Sequence, residues 1–98
     1  MNVEIAALTE LTSEKKISFE QLVIAIEIGV LTAYNEIPEA KRQARAFLDR
    51  ETGEIQILVP TFNELGEKIS EDRDEPEGFT RIATSTARQV IKMKMREV

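Results

Sequence analysis

Arg81, Arg88, Lys92 and Arg96 follow one another at intervals of seven, four and four residues. At about 100° per residue, a helix would place all of them on one narrow stripe, with Ser85 and Gln89 beside it. Cations repeated along several helical turns suit a phosphate backbone, so the chemistry this spacing offers is nucleic-acid binding. An ordinary solvated helix face would show the same pattern. Basic residues are also favoured at a helix C-terminus by the macrodipole. That accounts for Lys92, Lys94 and Arg96, but not for Arg81 near the start of the segment.

Other residue types argue against catalysis. The 98-residue chain contains no His and no Cys. This removes the usual general base, the commonest metal ligand, thiolate nucleophiles, disulfides and Cys-based zinc sites. Carboxylates are plentiful, but the pattern leaves them exposed, with nothing beside them to tune their pKa values. Asp72 and Asp74 suggest a calcium loop, yet such a loop needs Gly at its sixth position and Glu at its twelfth, where this chain has Glu77 and Ala83. The glycines stand singly at 29, 53, 66 and 78, so there is no glycine-rich phosphate loop. Phe19, Tyr34, Phe47, Phe62 and Phe79 do not interleave with the basic residues, which disfavours a base-stacking sheet. The expectation is a chain with no catalytic residue, no metal, no cofactor and no small-molecule substrate.

Charge is unevenly shared. Residues 1–79 hold 8 basic and 17 acidic residues, for −9, whereas residues 80–98 hold 5 basic residues and Glu97, for +4. An acidic body with a basic C-terminal segment suggests two surfaces with different partners. No apolar run approaches the roughly 18 residues of a membrane span. The Met1–Glu4 start lacks the basic residues and apolar stretch of a signal peptide. A cytoplasmic protein without a membrane partner is expected.

The elements that must position these residues can be read from periodicity. Ile5, Leu8 and Leu11 suggest a short first helix over 3–14, followed by a polar connection at 13–16. Ser18 and Gln21 form a capping-box signal, with Ile17 and Leu22 as a hydrophobic staple. The second helix should run from Phe19 to Asn35, since Pro38 resists continuation. Phe19, Leu22, Val23, Ile26, Val30, Ala33 and Tyr34 make one apolar stripe. Ile24, Ile28 and Leu31 make another, well around the helix from the first. A helix apolar on two sides is either sandwiched or offers one side to a partner. In so small a domain the sandwich is the first expectation; if that side is open, Ile24, Ile28 and Leu31 are the docking candidates.

Residues 44–49 and 55–59 alternate with period two around Arg50–Glu54, which predicts a β-hairpin with Gly53 at a positive φ. Pro60 should end the second strand or lie at an edge. A turn at Asn63–Gly66 and a short third strand at Glu67–Ser70 follow, then an acidic loop at 71–78. The last helix should begin at Thr80 or Arg81 and run to the end, with Ile82, Ala83, Thr86, Ala87, Val90, Ile91 and Met93 on its apolar side. Lys94 falls inside that arc and must snorkel or lie past the packed region. The fold expected is α+β: two N-terminal helices, two or three antiparallel strands and a C-terminal helix.

The segment Phe79-Thr80-Arg81-Ile82-Ala83-Thr84-Ser85-Thr86-Ala87-Arg88-Gln89-Val90-Ile91, with Lys94 and Arg96-Glu97 after it, resembles the end of the N-terminal domain of the bacterial NusA family. Met1-Asn2 before a short helix, Leu31-Thr32-Ala33-Tyr34, and Asp49-Arg50-Glu51-Thr52-Gly53 at the hairpin are also similar. Thr80 departs from the usual Asp, Met93 from the usual Gln, and Arg88 from the usual Lys. The resemblance spans nearly the whole chain, so residues 1–98 are expected to be one such domain, without the S1 and KH domains that follow it in the family. It implies a transcription elongation factor domain that docks on RNA polymerase at the β-subunit flap-tip helix, near the RNA exit channel. It also implies that Arg81 and Arg88 face the nascent RNA hairpin, with Lys92 and Arg96 continuing their stripe. A free-standing RNA-binding or protein-interaction module is the alternative; the acidic body argues against RNA affinity of that kind.

Overall fold

The structure, a computed structural model, describes residues 2–14 and 17–96. In chain order it contains α1 (Ile5–Glu14), α2 (Phe19–Asn35), β1 (Arg45–Leu48), β2 (Ile55–Phe62), β3 (Lys68–Arg73) and α3 (Phe79–Arg96). The three strands form one antiparallel sheet in the order β1-β2-β3. The α+β reading therefore holds, with three strands and not two. Residues 15 and 16 of the expected polar connection, and residues 97 and 98, to which the last helix was expected to run, lie outside the described residues.

α2 organises the core. The Gln21 amide donates to the Ser18 hydroxyl, and the Gln21 side chain accepts from the Ser18 amide, completing the capping box. Leu22, Val23, Ile26, Val30 and Tyr34 on the first stripe are fully buried. They pack with Leu48, Ile55 and Ile57 from the sheet and Phe79, Ala83 and Ala87 from α3. α3 comes so close to α2 that a Cβ on Gly29 would lie 2.7 Å from the Val90 Cγ2. The absent side chain permits that approach. Tyr34 and Phe79 meet edge to face, with centroids 5.6 Å apart.

Two latches join elements far apart in sequence. The Tyr34 hydroxyl donates to Asp74 at 2.5 Å and accepts from the Lys41 amide at 2.9 Å. Burial first, and the Asp74 carboxylate second, raise the Tyr34 pKa. Asp74 also faces Lys41 at 3.6 Å. The aspartate that hinted at calcium thus ties the α2 C-terminus to the approach to α3. At the other end, the Val3 amide donates to the Gly53 carbonyl at 2.7 Å, and Asn2 bridges to Glu54. This extended clip is why the first helix begins at Ile5 and not at residue 3. Of its three apolar positions only Leu8 is buried.

Several expectations are corrected or refined. At Pro60 the second of the two expected outcomes holds: β2 continues to Phe62 and lies at an edge, because β1 begins at Arg45 opposite Leu58 and Pro60 pairs with Glu71 of β3 alone. The strand is locally an edge there, so no N–H is required of the proline on the β1 side. β3 extends to Arg73, taking Glu71 and Asp72 out of the acidic loop, since Leu58 to Pro60 are available to pair with them. α3 starts at Phe79, and its apolar side is narrower than predicted: Ile82 and Met93 are 40% and 56% exposed. α3 packs on α2 and the sheet through Phe79, Ala83 and Ala87, and those two residues lie outside that contact arc.

Candidate functional site

The second α2 stripe is not sandwiched. Ile24 and Ile28 are 44% and 62% exposed, while Leu31 is half-buried and packs against the core. The sheet grips the other flank of α2, which leaves this one uncovered. Arg50 donates to Glu20 at 2.6 Å and to Glu27 at 2.7 Å, and Glu27 also accepts from the Leu48 amide at 2.8 Å. The Arg50 guanidinium additionally reaches the Leu48 carbonyl and lies 5.7 Å from the Phe47 ring centroid. The hydrogen bonds Arg50 donates to Glu20 and then to Glu27 raise its pKa, and the same pairing lowers that of Glu20. Facing solvent, Ile24 and Ile28 line an open hollow of about 380 Å³ with Ile17, Gln21, Ala25 and Lys94. Lys94 is half-buried at this hollow, consistent with an apolar stem and a polar head.

The basic stripe lies on α3. Arg81, Arg88, Lys92 and Arg96 are all exposed. Among the described residues none of these four forms an ion pair, whereas Lys41, Arg45, Arg50, Lys68 and Arg73 are all held by carboxylates. Among the described residues the body thus holds most of its cations on carboxylates, whereas Arg81, Arg88, Lys92 and Arg96 keep their positive charge available to an outside anion.

The sequence reading missed a second hollow. A cleft of about 310 Å³ between the N-terminal segment and α3 is lined by Val3, Ala7, Leu11, Ile55, Ile91 and, from the basic stripe, Arg88. The spare apolar positions of α1 were its only signal. Among the described residues, no group of three or more His, Cys, Asp or Glu could hold a metal ion. No described helix is long and apolar enough to cross a membrane.

Some carboxylates are tuned after all. Arg45 donates to Glu71 through two hydrogen bonds of 2.8 and 2.9 Å, and Lys68 lies 3.3 Å away. These neighbours hold the Glu71 pKa at about 2, below its ordinary 4.5. Backbone N–H groups of Thr52 and Glu51 lower Asp49 in the same way. Both are structural contacts between strands or within a turn, which period-two patterns do not reveal. A depressed carboxylate stabilises the fold above its unfolded pKa and loses that contribution as pH falls through the folded value. Thermal unfolding should therefore show the melting temperature falling from about pH 4.5 towards pH 2, and Glu71→Gln should flatten that fall. An unchanged pH profile in the variant would mean the Arg45–Glu71 pair does not persist in solution.

A sequence model described as the NusA N-terminal domain matches residues 5–61. The chain belongs to that NusA N-terminal domain family. The transcription termination/antitermination protein NusA of Mycobacterium tuberculosis is 39% identical over 97 residues, covering 99% of this chain and 28% of that protein. The NusA protein of Bacillus subtilis is 30% identical over 115 aligned residues, covering 93% of this chain and 30% of that protein. The chain thus spans under a third of the length of these NusA proteins. The solution structure of the B. subtilis NusA N-terminal domain superposes with a TM-score of 0.72 at 29% identity, covering 95% of this chain and 93% of that one. The NusA similarity reaches beyond the 5–61 match and includes α3 with its basic stripe.

Proposed function

We propose that this chain is an RNA polymerase-docking domain of a transcription elongation, termination and antitermination factor. It acts by binding, in the cytoplasm, and not by catalysis. In this reading the flap-tip helix of the polymerase β subunit seats against Ile24 and Ile28, with Leu31 supporting the hollow from within. An amphipathic helix laid in an apolar groove is a common recognition mode. The α3 stripe of Arg81, Arg88, Lys92 and Arg96 then faces the nascent RNA hairpin beside the exit channel. Its charge lowers the cost of crowding phosphates there, which prolongs pauses and assists hairpin-dependent termination.

The observation that carries this reading is the exposure of Ile24 and Ile28 on a helix whose opposite stripe is fully buried. Large apolar side chains left open on such a helix contribute little to the fold and suit a partner. Binding of the chain to purified polymerase with and without its β flap tip tests it. Wild-type binding should depend on the flap tip. Ile28→Glu should weaken it by about 100-fold or more, since a carboxylate would be buried unpaired at the contact. The melting temperature should stay within a few degrees because Ile28 is exposed. Loss of folding would instead make the stripe part of the core, and unaltered binding would move the docking site elsewhere, with the Arg88 cleft next in line.

A further inference from the structure

Residues 2–14 are thinly tied to the rest of the domain. Among the described residues their hydrogen bonds to the body all lie at the start of the segment, where the Val3 amide meets the Gly53 carbonyl and Asn2 bridges to Glu54. No described side chain of the segment bonds to the body or forms an ion pair. The hydroxyls of Thr9, Thr12 and Ser13 turn back onto carbonyls of α1 itself. Side chains bonded in this way weaken a helix slightly. α1 has 10 residues, with no acidic residue in its first turn and no basic residue in its last. A helix so short, without charges that favour its dipole, does not hold by itself in water. It forms because it packs, and that packing is thin. Leu8 is its one buried residue, with Val3 and Ile5 half-buried. Ala7 and Leu11 border the cleft of about 310 Å³ that Arg88 and Ile91 of α3 also line, so the two elements meet incompletely. Empty space in place of contacts forfeits dispersion energy. The buried stripe of α2, by contrast, closes against the sheet and α3.

We propose that residues 2–14 form a strap that opens and recloses as a unit while the body stays folded, and that its position sets the surroundings of Arg88. Segments held by few buried apolar contacts and few backbone ties open well before the whole domain does. Closed, the strap supplies the apolar wall of Ala7 and Leu11 beside Arg88, along which a methylene stem can lie. Open, that wall is gone, and Ile55 and Ala87, buried in the closed domain, lose part of their cover. α3 itself stays in place, because Thr86 and Val90 hold it on α2 at Gly29. Ordering a long side chain in advance lowers what its contact with a phosphate costs. The closed strap is therefore the state that favours RNA on the basic stripe. That consequence rests on the reading of the stripe above; the opening itself does not.

Amide hydrogen exchange, read by NMR on the full chain without polymerase or RNA, tests the strap apart from the docking reading. The amides of Val3, Leu8 and Leu11 should share one opening equilibrium and be about 100-fold less protected than those of Val23, Ile26 and Val30. Ile26→Val should cut the protection of the α2 amides by about tenfold and leave that of the strap unchanged, because opening the strap does not break the core. Gly53→Ala should abolish strap protection in a chain that still folds, and should shift the Arg88 Nε–H signal. Gly66→Ala should leave both as in the wild type. Equal loss of protection at both sets of amides in Ile26→Val overturns the proposal, since the strap would then open only with the whole domain. A Val3 amide exchanging far faster than those of Leu8 and Leu11 also overturns it, leaving a frayed end and not a unit. An Arg88 signal indifferent to Gly53→Ala overturns the effect on the stripe. Failure of Gly53→Ala to fold makes the segment part of the core and overturns the proposal as well.

Discussion

Gly53→Ala should destabilise the domain by about 3–5 kcal/mol. A Cβ at this position would sit 1.7 Å from the Val3 carbonyl oxygen, which no side-chain rearrangement can relieve because the obstacle is backbone. The N-terminal segment would have to leave, and with it the Val3–Gly53 hydrogen bond and the Asn2–Glu54 bridge. One net hydrogen bond contributes about 1 kcal/mol. Re-exposing the half-buried Val3 and Ile5 adds about 1–3 kcal/mol. The φ of +79 at this residue adds about 1 kcal/mol for any residue with a Cβ. In a domain this size the melting temperature should fall by about 15–25 °C. Gly66→Ala supplies the control: it shares the positive φ, but its Cβ would meet nothing within 4 Å, so only the conformational cost of about 1 kcal/mol should appear. Equal losses in the two variants would show that the close approach of Val3 to Gly53 is not a feature of the folded state. Release of the clip would also open the Arg88 cleft, since Val3 forms part of its wall.

The second large effect concerns function. Arg81→Ala combined with Arg88→Ala should remove most of the stimulation of hairpin pausing while leaving polymerase affinity nearly unchanged. Both residues are exposed on α3 and among the described residues neither is ion-paired, so their removal should not disturb the fold. The proposed docking face is apolar and lies on α2. Each lost phosphate contact should reduce the slope of log affinity against log salt by about 1, and two contacts by about 2. The defect in pause duration should therefore be largest at low salt and shrink as screening rises. A transcription assay on a hairpin-pause template, run across a salt series, reads this directly. Wild-type pausing by the double variant would reduce the stripe to a solvated helix face. Lost polymerase affinity would make it part of the docking site.

Much of this was legible in the sequence because it is local. The Ser18–Gln21 capping box links residues three apart, and the buried stripe from Leu22 to Tyr34 repeats at the helical period. The basic stripe from Arg81 to Arg96 needs only a helix to form it. Backbone geometry over one or two turns dictates such features, so residue spacing predicts them. What sequence could not decide was which side of α2 stays open. Ile24–Leu31 and the core stripe are both apolar at helical spacing, and the choice depends on where the sheet and α3 pack. Arg50 meets Glu20 and Glu27 across 30 and 23 residues, Arg45 meets Glu71 across 26, and Tyr34 meets Asp74 across 40. The Gly53 clip joins residues 50 apart. Those pairings belong to topology: a side chain's own neighbours in sequence set its element and its face, but only the packed layers set what that face meets.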